Sequence, residues 1–187
     1  MSAIKLGDNK GIKPMMKKLG WVGTGLMLAA MACTAQDVVS FLHGTVKSID
    51  KGTKTVVVKA ADGTEHTVKY TADTTVKGTK DGFDGLKEGT EVVARTTGKG
   101  ADETATEVGK VGKDGLKTTK GTVTKFDDAT KTVVVKTADG TEKTFELSGK
   151  AVDDAGKDSG KAVAKGAKVT VYYTEEGGKK TAHFLAS

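Results

Sequence analysis

The chain has 187 residues, of which 36% are hydrophobic and 29% are charged, and a formal net charge of +6 at pH 7. Its length leaves room for no more than two small domains. Residues 1–32 hold five of the 30 basic residues and one of the 24 acidic ones, so the remainder carries only +2. Because those charges are mixed in sign and Arg95 is the only arginine, we expect neither nucleic-acid binding nor another phosphate-binding role.

Residues 1–35 have the pattern of a secretory signal. Met15-Met16-Lys17-Lys18 supplies positive charge, and a mostly apolar, uncharged stretch of 14 residues follows from Leu19 to Ala32. A bilayer-spanning helix needs roughly 20 such residues, and no later stretch comes close to that length. We therefore expect an exported protein, periplasmic or membrane-anchored, with no transmembrane helix in its mature form.

The single cysteine, Cys33, stands at the end of the apolar stretch. Its position resembles the lipidation site of bacterial lipoproteins, in which the modified cysteine becomes the new N-terminus. Two interpretations remain open: a lipid on Cys33 attaches the protein to a membrane, or cleavage after Ala32 or Ala35 releases it. In both cases the mature domains contain no cysteine, so neither disulfides nor thiolate metal sites are expected.

The rest of the chain repeats itself at an offset of 77 residues. Residues 44–65 and 121–142 are identical at 16 of 22 positions, and the offset also pairs Gly89 with Gly166 and Val92 with Val169. This self-similarity predicts two copies of one small domain. We place them at 43–108 and 120–187, joined by a flexible linker at 109–119.

Each copy contains short Val- and Thr-rich segments separated by Gly, Asp and Lys turns, a pattern typical of an all-β fold. The predicted strands are 43–50, 53–60, 64–71, 91–97 and 103–108, then 120–127, 130–137, 141–148, 168–174 and 180–185. Between the third and fourth strands lies a longer crossing, at 77–89 in the first copy and 150–166 in the second, with room for one helical turn around 83–86 or 160–165. Five strands in this arrangement match a small OB-like barrel, and an SH3-like barrel is the nearest alternative.

The second hairpin of each copy allows a prediction of strand register. A three-residue turn with Gly63 in the left-handed conformation places Val56 opposite Val68 and gathers the apolar residues on one face. It also places Lys59 opposite Glu65 and Lys136 opposite Glu142. The predicted core face consists of Val56, Val58, Val68 and Tyr70, with Val133, Val135, Phe145 and Leu147 in the second copy.

The turn and strand motifs together resemble a family of bacterial exported domains of unknown function. The motifs are Gly44-Thr45-Val46, Asp62-Gly63-Thr64, Thr71-Ala72-Asp73-Thr74 and Leu86-Lys87-Glu88-Gly89. The second copy lacks the Thr-Ala-Asp-Thr stretch. The resemblance implies small OB-like barrels, often in tandem, and implies nothing about an activity.

Candidate catalytic and metal-binding residues do not form a recognisable set. His43, His66 and His183 correspond to Lys120, Lys143 and Thr106 in the other copy, so we interpret each as a surface or strand-end histidine. The acidic groups at 81–85 and 127–128 lack the spacing of a calcium-binding loop and are read as turns. We therefore expect a protein that is not an enzyme and has no cofactor.

One difference between the copies points to a contact surface. The second copy has Tyr172, Tyr173 and Phe184 where the first has Arg95, Thr96 and Glu107. Because neighbouring strand residues face opposite sides, we expect one of the two tyrosines to be exposed or half-buried. That tyrosine would contact a ligand, a glycan or the other domain, or both would simply enlarge the core.

These patterns favour a non-enzymatic binding or scaffolding module of the bacterial cell envelope, with an unknown envelope component as its partner. The alternative is a cation- or ligand-responsive module of the envelope stress response, in which carboxylate loops hold the cation.

Overall fold

A computed structural model describes residues 39–156 and 160–187, which lie in one compact unit. The predicted signal segment, with Cys33, is outside the described residues. The described chain is all-β, with eleven strands, two short α-helices and two single 3₁₀ turns at Gly82–Gly85 and Gly100–Asp102. The strands are β1 Ser40–Asp50, β2 Thr55–Ala60, β3 Glu65–Lys69, β4 Thr75–Lys77, β5 Glu91–Thr97, β6 Thr104–Lys110, β7 Lys117–Asp127, β8 Thr132–Lys136, β9 Glu142–Leu147, β10 Lys168–Glu176 and β11 Lys179–Ala186. The helices are α1 Gly149–Gly156 and α2 Gly160–Val163.

The first barrel contains the strand order β3-β2-β1-β5-β6. It closes where β3 meets β6 in parallel at Lys69 and Thr104, and the short β4 continues along the same side of β6. Thus β3 and β4 act as one interrupted strand against β6.

The second barrel repeats this arrangement as β7-β8-β9-β11-β10, with β10 returning to β7. Its third and fifth strands again pair in parallel, at Thr181 with Glu146 and Ala182 with Leu147. Two five-stranded barrels with the same strand order confirm the predicted all-β, OB-like fold class.

The predicted register of both second hairpins is confirmed. Val56 lies opposite Val68 and Lys59 opposite Glu65, and the second copy pairs Val133 with Phe145. Gly63 and Gly140 have φ values of 88° and 85°, the left-handed conformation that the three-residue turn requires. Glu65 pairs with a different lysine from the one expected. Lys47 on β1, and not Lys59, donates to it at 2.6 Å.

Successive side chains of a strand point to opposite faces, so every second side chain points into the barrel and fills its core. Val56, Val58 and Val68 are at most 2% exposed, as are Val133, Val135 and Phe145 in the second barrel. Tyr70 is half-buried and stacks on Phe83, with ring centroids 3.9 Å apart. The predicted core face is therefore correct, with Tyr70 lying at its margin.

The crossings differ between the barrels. In the first, the 3₁₀ turn at Gly82–Gly85 brings Phe83 and buried Leu86 against the core. In the second, α1 and α2 fill the same position and bury Ala151, Ala162 and Val163. The larger second core, which also holds Tyr173 against Phe145, follows from this difference.

The two barrels pack against each other through a third apolar cluster formed by Val93, Leu116, Tyr172 and Phe184. Gly109 makes room for it, since a Cβ there would collide with Leu116 Cδ1 and lie 2.9 Å from Phe184 Cε2. Lys150 of α1 adds a polar contact by donating to the Thr106 carbonyl at 2.7 Å. We call this region the junction.

The connection between the barrels is not the flexible linker expected at 109–119. Strand β6 extends to Lys110 and β7 begins at Lys117, and Val111 and Leu116 between them form a β-bridge. Leu116 is fully buried, which fixes the connection to the junction. Among the described residues, no helix has the length and apolar character needed to cross a membrane.

Candidate functional site

Both tyrosines of β10 are buried, so the expectation that one is exposed or half-buried is wrong. Tyr172 and Tyr173 are 4% and 6% exposed. They do face opposite sides: Tyr173 packs in the second barrel, and Tyr172 points into the junction. Burial, with a smaller effect from Glu91, raises the pKa of Tyr172. Of the three contacts considered for this tyrosine, a ligand, a glycan or the other domain, the structure shows the other domain, because the first barrel covers Tyr172.

A buried ion pair lies on the first barrel's side of the junction. Arg95 on β5 binds Glu107 on β6, and the two side chains are 4% and 2% exposed. The guanidinium also donates to the His183 carbonyl at 3.1 Å and lies over the Phe41 and Phe184 rings. Arg95 therefore connects the two barrels through its hydrogen bond to the His183 carbonyl and its contact with the Phe184 ring, whereas its ion pair with Glu107 lies within the first barrel.

His183 is buried at the junction, which corrects its interpretation as a surface or strand-end residue. It is 7% exposed, and its Nε2 lies 3.0 Å from the hydroxyl of Thr174. Within the described part of the chain, its Nδ1 has no hydrogen-bond partner. Burial, reinforced by the positive charges of Lys77 and Arg95, lowers the pKa of His183 to about 4.

The other two histidines lie on the first barrel's surface. His43 Nε2 is 2.8 Å from Glu91 Oε1, and His66 Nδ1 is 3.5 Å from Glu103 Oε2. The Thr96 hydroxyl donates to the other Glu103 oxygen at 2.8 Å, so that carboxylate has a fixed position. These two histidines agree with their interpretation as surface or strand-end residues.

His66 and Glu103 belong to a broad groove on the first barrel, with a volume of about 1040 Å³. We call it the first groove. It runs from the start of β1 across β3 to the loop at 98–103. Phe41 and Leu42 give it apolar contact area, and Glu65 and Lys69 are held by pairs with Lys47 and Asp102 at 2.6 and 3.4 Å. The first groove thus combines apolar surface with several paired polar groups, while Asp62 and Lys99, which also line it, form no ion pair among the described residues.

The acidic groups noted in the sequence form turns. Asp127 accepts backbone N–H bonds from Ala129 and Thr130, which hold its pKa below the ordinary range, the bond from Thr130 most. Asp128 pairs with Lys131 at 2.6 Å, and Asp84 pairs with Lys51. Among the described residues, no group of three or more His, Cys, Asp or Glu side chains could hold a metal ion.

A second groove, of about 560 Å³, crosses β7, β8 and β10 of the second barrel. Its lining includes Lys120, Lys136 and Lys168 together with several threonines. Sequence reasoning missed it because these lysines are 16 and 32 residues apart and look like scattered surface charges. The strand register was the available signal, since it places Thr122 opposite both Lys136 and Lys168.

No protein-family model and no curated protein matches this sequence. Among solved structures, the silver-bound CusF crystal structure is 18% identical, covers 37% of this chain and 93% of its own, with a TM-score of 0.31. Silver-bound CusF residues 10–88 from Escherichia coli are 20% identical over 40% of this chain and 92% of their own, with a TM-score of 0.32. Apo-CusF residues 6–88 from Escherichia coli are also 20% identical, over 42% and 93%, with the same TM-score. A likeness this weak carries no information about function.

Proposed function

We propose that the protein is a non-enzymatic binding module of the bacterial cell envelope, and that the first groove binds its ligand. The signal pattern of residues 1–35 supports the location. The observation that carries the binding function is the first groove itself, the larger of the two grooves described. A concave surface with apolar contacts and a few fixed polar groups is the usual form of a ligand site.

The pairs that hold Glu65, Lys69 and Glu103 in the first groove favour an uncharged polar ligand. Glu103 is held by Thr96 and lies beside His66, and Glu65 is neutralised by Lys47. A charged ligand would have to compete with these pairs, whereas hydroxyl or amide groups can add hydrogen bonds to them. Phe41 offers an apolar face on which a sugar ring or a peptide side chain can pack.

The test is an NMR titration of the protein with two uncharged probes, an N-acetylglucosamine trimer and a blocked tripeptide. We expect one of them to shift backbone amides of β1, β3 and the loop at 98–103, while the probe itself stays chemically unchanged. The Ala101→Trp variant should abolish these shifts by filling the first groove from an exposed loop position. Ala129→Trp, on an exposed turn of the second barrel, is the matched control.

The proposal fails if neither probe shifts the groove residues, or if Ala101→Trp binds as well as Ala129→Trp. Turnover of a probe would contradict the non-enzymatic part. Calcium or zinc ions alone serve as a third probe, and a cation-dependent rise in melting temperature would favour the cation-responsive alternative.

The location is tested separately by mass spectrometry of the mature protein. A diacylglyceryl group on Cys33 would support membrane attachment. An unmodified chain that begins at Cys33 or Gln36 would support a free periplasmic protein, and an uncleaved chain would contradict export.

A further inference from the structure

The second groove brings three lysines to one outer face of the second barrel. Thr122 on β7 lies opposite Lys136 on the neighbouring strand β8 and opposite Lys168 on the other neighbour, β10. Lys120 lies opposite Thr170 on the same pair of strands. Neighbouring strands are about 4.8 Å apart, so the ammonium groups can converge on one ligand above Thr122.

Among the described residues, these three lysines form no ion pair. Within the described part of the chain, no carboxylate lies at ion-pair distance from Lys120, Lys136 or Lys168, although Glu142 shares a register position with Lys136. The groove lining contains no aspartate or glutamate. Like charges gathered on one face repel each other and leave a locally positive potential.

The first barrel provides an internal comparison at the 77-residue offset. There His43, Lys59 and Glu91 occupy the positions of Lys120, Lys136 and Lys168. Glu91 pairs with His43 at 2.8 Å, so the same face of the fold is charge-compensated in the first copy. The fold alone therefore does not require three lysines at these positions.

We propose that the second groove binds a phosphate group, carried by a soluble ligand or by a lipid headgroup. Lysine ammonium groups bind phosphate as point charges, and the hydroxyls of half-buried Thr122 and Thr170 can donate to its oxygens. This site lies on the other barrel from the first groove and goes beyond the function proposed above. It also revises the sequence-based expectation of no phosphate-binding role, because the lysines cluster in space and not in sequence.

The experiment measures binding of the intact protein to inorganic phosphate by NMR, and to vesicles of phosphatidylglycerol or of phosphatidylcholine by sedimentation. Lys168→Glu installs the first copy's residue, and we expect it to weaken binding at least tenfold. Lys87→Glu, an exposed lysine on the first barrel, makes the same change in net charge and should alter binding less than twofold. Binding should also weaken as salt is raised.

Amide shifts with phosphate indicate a free ligand. Sedimentation with phosphatidylglycerol but not with phosphatidylcholine vesicles indicates a lipid headgroup. Either result supports the site if Lys168→Glu weakens that binding at least tenfold. Equal losses in Lys168→Glu and Lys87→Glu would reduce the effect to net charge and overturn the proposal. Absence of binding to every probe would also overturn it. Ala101→Trp should leave phosphate binding intact, which separates this result from that of the first groove.

Discussion

At the scale of single residues, the first barrel's side of the junction holds a charge pair that is almost completely buried. Removing two ions from water is unfavourable, and their attraction offsets that cost only while both partners are present. Arg95 and Glu107 meet this condition and gain further contacts from the His183 carbonyl and the two rings. The second copy has Tyr172 and Phe184 at the corresponding positions, and the Phe184 ring packs against the Arg95 guanidinium.

The first prediction concerns this pair. Glu107→Leu should lower the free energy of unfolding by about 3–5 kcal/mol, because it leaves the buried guanidinium without its carboxylate. The double variant Arg95→Met/Glu107→Leu removes both charges and should recover most of that loss. Urea denaturation measures both values. Lys51→Gln, which breaks an exposed pair with Asp84, is the control and should change stability much less.

The second prediction concerns pH. The folded protein protonates His183 only near pH 4, whereas the unfolded chain takes up this proton near pH 6.5. Between those values the unfolded state binds more protons, so stability should fall as pH drops from 6.5 to 4. Lys77 and Arg95 add to this loss of stability, because the positive charge of protonated His183 would lie close to theirs.

The measurement is the melting temperature at several pH values between 4 and 7. In the His183→Gln variant, the melting temperature should fall less steeply as pH drops, because only the contribution of the carboxylates remains. Parallel curves for the variant and the unmodified protein would show that His183 is not protonated on unfolding in this range.

At the scale of structural elements, each barrel holds strained backbone at the same turn position. Lys54 and Lys131 have φ values of 53° and 51°, in the left-handed region that residues with a Cβ avoid. Both follow an aspartate, Asp50 or Asp127, whose carboxylate accepts two backbone N–H bonds and closes the turn. The strain is therefore part of the repeated hairpin and not an accident of one copy.

The third prediction tests the bulged turn of the second hairpin. Gly140→Ala should lower stability by about 1–2 kcal/mol, because Gly140 has φ 85° although a Cβ would meet nothing within 4 Å. Gly149→Ala, in α1 and equally free of contacts, should be neutral or slightly stabilising. Thermal unfolding of the two variants measures the difference. Equal effects would mean that the left-handed conformation is not required.

The elements themselves were largely predictable from sequence. Valine alternation and Asp-Gly turns indicated β2 and β3 and their register, since only one register buries Val56 together with Val68. The short β4 was not predicted, because three residues beside β6 leave no periodic pattern. The crossings were located correctly, but their sequences did not indicate that α1 is a helix of eight residues.

At the scale of the whole molecule, the features that position the candidate sites depend on contacts between distant residues. Glu107 looks like an exposed strand residue in sequence, and only the packing of β10 and β11 against it explains its burial. The same packing hides Tyr172, which alternation alone places on an outer face. The second groove was missed for a related reason, since Lys120, Lys136 and Lys168 approach one another only through strand pairing.

The two copies also use corresponding strands to meet. Strands β5 and β6 of the first barrel face β10 and β11 of the second, and these are the fourth and fifth main strands of each copy. A contact that uses the same surface of both copies is isologous, as in twofold-symmetric dimers. The differences at these positions, Arg95 against Tyr172 and Glu107 against Phe184, make the contact specific for two unlike partners.

The last prediction concerns the connection between the barrels, where Leu116 is fully buried against Tyr172 and Phe184. Leu116→Ala should lower the free energy of unfolding by about 2–5 kcal/mol by leaving a cavity in the junction. If the junction couples the barrels, calorimetry should show one unfolding transition in the unmodified protein and two in the variant. Lys113→Ala, exposed in the same connection, should keep the single transition. A variant at Leu116 that behaves like the one at Lys113 would mean that the connection is only a tether.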